Sequence, residues 1–103
     1  MLWRQGDILI QDVGEIPAGA QPLKRPVLAS SDSTGHQHQI KDRKVACLYL
    51  VGREPGQEFY LEVTGDEADL VHPEHDTIVL KRGLYRVWRQ REFSEWGSRT
   101  VID

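Results

Sequence analysis

Four histidines carry the clearest chemical signal in the chain, and they fall into two tight pairs, His36-Gln37-His38 and His72-Pro73-Glu74-His75. On a strand, residues i and i+2 share a face, so His36 and His38 offer two imidazoles to one point. Pro73 biases His72 toward extended backbone and cannot sit inside a regular helix, so a turn would bring His72 and His75 together. Two such pairs on neighbouring strands form a cage of three or four nitrogens. Neutral imidazole suits a divalent transition metal (Zn, Mn, Fe, Ni or Cu), with geometry deciding among them. Three imidazoles with Glu74 or Asp76 leave one position for water, as a catalytic metal requires. A metal there would lower the pKa of its water and polarise an anionic or carbonyl substrate, with Glu74 as the base. Two other readings stay open. The histidines can be surface or hydrogen-bonding residues, or two imidazoles and an arginine can move protons without a metal, as in RNA cleavage.

The second signal is charge. From residue 54 to residue 80 there are eight acids (Glu54, Glu58, Glu62, Asp66, Glu67, Asp69, Glu74 and Asp76) and no Lys or Arg. Lys81 to Arg91 then holds five bases (Lys81, Arg82, Arg86, Arg89 and Arg91) and no acid. Either the two arms attract each other across a hairpin as solvated faces, or the basic arm receives an anion, with Arg82, Arg86 and Arg89 as clamps. Leu84-Tyr85-Arg86-Val87-Trp88-Arg89 interleaves aromatics with arginines, a composition that single-stranded nucleic acid platforms use. The same residues suit an edge strand protected by charge, with Trp88 in the core.

Strands must position these groups, because no stretch of twelve residues shows clean 3.6 periodicity. Strands are expected over residues 6–12, 27–29, 36–40, 45–51, 59–63 and 68–72. Residues 45–51 are apolar throughout and read as a buried strand, with Cys47 as core filler. Residues 77–80 and 84–88 flank Lys81-Arg82-Gly83, and a hairpin is expected to close there. Ile16 to Pro26, with three prolines, reads as a loop, and 30–35, 42–43 and 65–66 as turns. The tail, with Phe93 and Trp96, is expected to pack back as a short helix or strand. Short strands at regular spacing imply an all-β fold: one antiparallel barrel or sandwich of about eight strands over residues 1–103.

The 103 residues allow one domain, and 39% hydrophobic with 28% charged residues excludes a disordered chain. No apolar run approaches the ~20 residues of a membrane span, and the first residues lack the blocks of a signal peptide. The single cysteine builds no disulfide framework, which suits a cytoplasmic protein. A net charge of −3 argues against a DNA partner. No Pro-Cys-x-x-Cys follows His72-Pro73-Glu74, as a zinc deaminase requires. A helical His-Glu-x-x-His, a Gly-x-Ser-x-Gly and a phosphate-cradling loop are absent too.

Two resemblances add to this. His36-x-His38 on a β-rich chain, with His72 and His75 before a strand and a Gly turn, resembles the cupin plan, which implies a metal held inside a small barrel. Gln5-Gly6-Asp7-Ile8-Leu9, Thr34-Gly35-His36-Gln37-His38 and His72-Pro73-Glu74-His75, through Gly83-Leu84-Tyr85-Arg86-Val87 to Phe93, are similar to a family of small bacterial proteins of uncharacterised activity. That likeness implies no reaction. The resulting expectation is a metal-binding β-barrel protein acting on a small anionic ligand. The alternative is a non-catalytic RNA- or protein-binding module using residues 81–91. Self-association through Trp3, Trp88 or Trp96 is a third option.

Overall fold

The computed structural model describes residues 1–30, 34–53, 56–94 and 97–100. Its strands are β1 (Leu2–Gln5), β2 (Ile8–Val13), β3 (Gln21–Pro22), β4 (Val27–Ser30), β5 (Gln37–Ile40), β6 (Ala46–Val51), β7 (Glu58–Val71), β8 (Ile78–Arg89), β9 (Arg91–Ser94) and β10 (Gly97–Thr100). The first eight form one antiparallel sheet in the order β1-β2-β8-β7-β5-β4, with β6 also on β7 and β3 on β6. β9 and β10 pair separately, so the tail is β rather than helical; Trp96 lies outside the described residues.

The all-β expectation holds, but the sheet is open and does not close into a barrel. β1 and β4 end the strand order, and no described strand pairs with their outer edges. Alternation sets the core. Ile8 and Ile10 on β2, Leu61 and Val63 on β7, and Tyr85 and Val87 on β8 point inward and are buried, with Leu48, Leu70 and Leu80. Each fully buried aliphatic side chain contributes about 1.5–3 kcal/mol. β6 also alternates, although its sequence is apolar throughout. Ala46 and Leu48 are buried, while Cys47 lies on the other face, half-buried and outside the core cluster. Cys47 is therefore not the core filler its neighbours suggested.

The hairpin expected at Lys81-Arg82-Gly83 is not there. β8 runs unbroken from Ile78 to Arg89, and the chain reverses instead between β7 and β8, through His72-Pro73-Glu74-His75. Acidic β7 and basic β8 are thereby paired in register: Lys81 bonds Glu67, Arg82 Nη2 lies 3.2 Å from Asp66, and Arg86 Nη2 lies 3.8 Å from Glu58. The arms thus attract each other as solvated faces. Likewise residues 65–66 form a bulge inside β7, between Val63 and Glu67, rather than a turn. At Gly65 a Cβ would stand 2.8 Å from Val45 Cβ, so only glycine lets the bulged ribbon close on Val45.

That bulge positions the site. The 12 residues of β8 would span roughly 40 Å if straight. Yet Leu70, opposite Ile78 at one end, accepts a bond from Gln5, and Arg89 at the other end meets Asp7. The long ribbon therefore bends until both ends reach the β1–β2 turn. In that turn Gly6 has φ +58°, a backbone conformation glycine adopts without steric cost.

Candidate metal centre

His38 sits on the inward face of β5 beside Ile40, while Gln39 points to solvent, as the alternation predicts. Its side chain is 1% exposed. His72 follows Val71, the last residue of β7, just before Pro73 and is also buried, and His75, half-buried, follows in the same reversal. The ring centres of His38 and His72 are 4.2 Å apart, those of His72 and His75 4.5 Å, and those of His38 and His75 5.9 Å. His36 meets His72 edge-on at 5.7 Å. Folding thus brings all four histidines together.

Hydrogen bonding fixes the protons on two rings. Gln5 Nε2 donates to Leu70 O and to Asp76 O, both at 2.9 Å. A flipped amide would set its oxygen against those two carbonyls, so the orientation of Gln5 is determined by chemistry. Gln5 Oε1 is then an acceptor, and His38 Nδ1, 2.9 Å away, must carry a proton and donate to it. This turns His38 Nε2 toward Asp7 Oδ1, at 3.7 Å. His72 is the opposite tautomer: its Nδ1 accepts from the Glu74 backbone N–H at 3.0 Å, so in the neutral ring the proton is on Nε2.

Asp7 is 3% exposed and lies between His38 and Arg89. Arg89 Nε is 2.8 Å from Asp7 Oδ2, an ion pair at a distance where the N–H is not aligned as a hydrogen bond. Arg89 Nη2 also donates to Ser30 O at 3.3 Å. At the rim, His36 Nδ1 is 2.6 Å from Glu74 Oε1, with the glutamate more than half exposed. A groove of about 380 Å³ opens beside the cluster, lined by His36, Gln37, Gln39, Val71, His72 and Pro73.

Of the residues read from the sequence, His36, His38, His72, His75 and Glu74 meet here, and Arg89 joins them through Asp7. Arg82 and Arg86 do not. Arg82 is held by Asp66, and Arg86 faces Glu58 and lies over the Trp88 ring at 5.3 Å, so the acids of β7 occupy them as clamps. Gln5 and Asp7 were missed. The tight Gln5-Gly6-Asp7 turn was the available signal, but only the fold brings it to His38, 33 residues from Gln5.

Donor atoms are close but not closed. Among the described residues no three His, Cys, Asp or Glu side chains form a ready-made metal cage. Imidazoles sharing one tetrahedral ion set their ring centres about 5 Å apart, given a metal–nitrogen bond of about 2 Å. The three inner spacings lie on both sides of that value, so the His38–His72 and His72–His75 pairs must open and the His38–His75 pair must close, each by about 1 Å or less.

No curated protein and no solved structure matches the chain. The cupin resemblance is not supported: no cupin is found among the relatives, and the sheet is not a closed barrel. Residues 4–90 match the family described as Domain of unknown function (DUF8820), a span that takes in Gln5, Asp7, all four histidines and Arg89, and the chain belongs to that family.

Proposed function

We propose that the protein binds one divalent transition metal ion through His38, His72 and His75, with Asp7 beside them and His36 with Glu74 at the rim. The observation that carries this reading is the convergence of the imidazoles, the ring centres of His38, His72 and His75 lying 4.2 to 5.9 Å apart. The Gln5 bond to His38 Nδ1 leaves Nε2 as the nitrogen a metal would take, and is the kind of outer contact that orients a ligating imidazole. Three imidazoles leave a fourth position for water, which makes metal-activated water the matching chemistry. Glu74 is the exposed carboxylate at the mouth and stands as the base. Arg89 is the remaining anion contact, engaged by Asp7 and Ser30 O.

One observation favours a metal-free acid–base site instead. His72 Nδ1 accepts from Glu74 N–H, so loading a metal on His72 Nε2 requires that amide to let go. In that second reading the clustered imidazoles pass protons instead of holding an ion. Zinc titration by calorimetry, with elemental analysis of the dialysed protein, separates the two. Near one equivalent of metal in the wild type, lost in both His38→Ala and His72→Ala, is the expected result. Wild-type protein that holds no more metal than the variants sinks the metal reading. RNA or protein binding through residues 81–91 draws no support from the arm, whose Lys81, Arg82 and Arg86 are paired with β7 acids.

A further inference from the structure

The bases of β8 are partnered; those of another face are not. Lys24, Arg25, Lys41, Arg43 and Lys44 are all exposed, and among the described residues none forms an ion pair. Two segments bring them together. Ile40 N–H donates to Pro26 O at 3.0 Å, which ties the 24–26 segment to the end of β5. Asp42 caps the 3-10 turn Arg43–Val45 by accepting from Lys44 N–H. Two grooves meet on this ridge. One, of about 430 Å³, runs between Lys24 and Arg43-Lys44 over Cys47; the other, of about 390 Å³, runs between Arg25 and Lys41. Arg43 and Lys44 line both.

Such a concentration of cations is notable because the whole chain carries −3. The rest of the surface repels a polyanion, so one that approaches is oriented onto this ridge. From this we infer that the ridge docks on the phosphodiester backbone of double-stranded nucleic acid, without reading bases. Neither groove is lined by an aromatic ring, so an unpaired base has nothing to stack on. An acidic peptide adding as a strand would find the β6 edge over Leu48–Leu50 already taken by Gln21–Leu23, and the open edge of β4 contributes no residue to either groove. What remains is point-charge contact with phosphates, which five flexible cations supply.

The test is anisotropy of fluorescently labelled duplexes of about 16 base pairs, one RNA and one DNA, titrated with protein across a salt series. Binding of either duplex, with log K falling against log salt with a slope of roughly −4 to −5, is expected for five phosphate contacts. The double variant Arg43→Ala, Lys44→Ala should reduce that slope by about two, whereas Arg82→Ala, Arg86→Ala and, separately, His38→Ala should leave it unchanged. The His38 arm makes this result independent of the metal reading. Absence of salt-sensitive duplex binding overturns the inference. So does an equal loss with Arg82→Ala, Arg86→Ala, or polyglutamate binding in place of the duplexes, which would indicate an acidic protein partner. Circular dichroism of each variant checks that the fold is intact, above all for His38→Ala, whose side chain is buried.

Discussion

Gln5 and His38 lie 2.9 Å apart in the interior, and the two carbonyls that hold the Gln5 amide decide which nitrogen of His38 faces Asp7. The Gln5→Leu variant removes that control while keeping the volume. It should weaken zinc binding by about 10- to 100-fold, the usual effect of losing an outer contact to a ligating imidazole. It should also cost about 1–3 kcal/mol of stability, because Leu70 O and Asp76 O lose their donor. Zinc competition with a chromophoric chelator reads the first effect and urea denaturation the second. Unchanged affinity in a folded variant would mean that His38 needs no such alignment.

The pair of Asp7 with Arg89 closes the first strands on the last residue of β8. Replacing Asp7 by Ala leaves Arg89 beside a buried cavity. Arg89 is about one-third exposed, so water recovers part of the loss, and about 1–3 kcal/mol is expected. Arg89→Met removes the cation and keeps much of the side-chain volume, and it should also destabilise, since the Asp7 carboxylate stays buried. Denaturant melts of both variants check this, and stabilities equal to the wild type would show that the pair does not hold the strands.

At the bulge, Gly65→Ala forces a Cβ to within 2.8 Å of Val45 Cβ and 2.9 Å of its Cγ1. A loss of about 1–3 kcal/mol follows from overpacking. Val45→Gly in the same chain removes the clash, so the double variant should be less destabilised than the sum of the two single changes. An additive cycle would show that the approach of β7 to Val45 is not what demands the glycine.

On the outer face of β6, the Cys47 thiol and then the Glu62 carboxylate push the Tyr49 hydroxyl up to about 12 from an ordinary 10.0. Tyr49 donates to Glu62 Oε1 at 3.1 Å. A pKa raised on folding gives a stabilisation that is complete below pH 10 and fades as pH climbs toward 12. Tyr60, through its bond to Glu58, and Tyr85, through burial, are raised as well, so alkaline titration by tyrosinate absorbance should be read as the difference between the wild type and Tyr49→Phe, which isolates the Tyr49 group. Cys47→Ala should move it back toward 10.

Alternation made much of this legible. His36, His38 and Ile40 were expected on one face, and His38 and Ile40 are the buried pair of β5. Strand and turn chemistry predicted that the members of each histidine pair lie near one another, whereas the meeting of the two pairs depends on β5 lying beside β7. The reversal was misplaced because Lys81-Arg82-Gly83 has turn composition, yet cross-strand attraction to Asp66 and Glu67 keeps it extended. Asp7 and Gln5 were invisible for a different reason. Their partners lie far along the chain, Asp76 at 71 residues from Gln5, and short-range periodicity carries no record of which distant ends a bulge brings together.

The bent β7–β8 ribbon has a kinetic consequence. Its two ends reach Gln5 and Asp7 only after nearly the whole chain has looped back, so the histidine cluster is among the last contacts to form. Folding governed by such distant pairings runs on a millisecond-to-second scale, about what β-rich topologies show. If the centre holds the metal ion proposed above, a newly made chain would take it up only once β2 has paired with β8, and ion uptake would serve as a clock for completed folding.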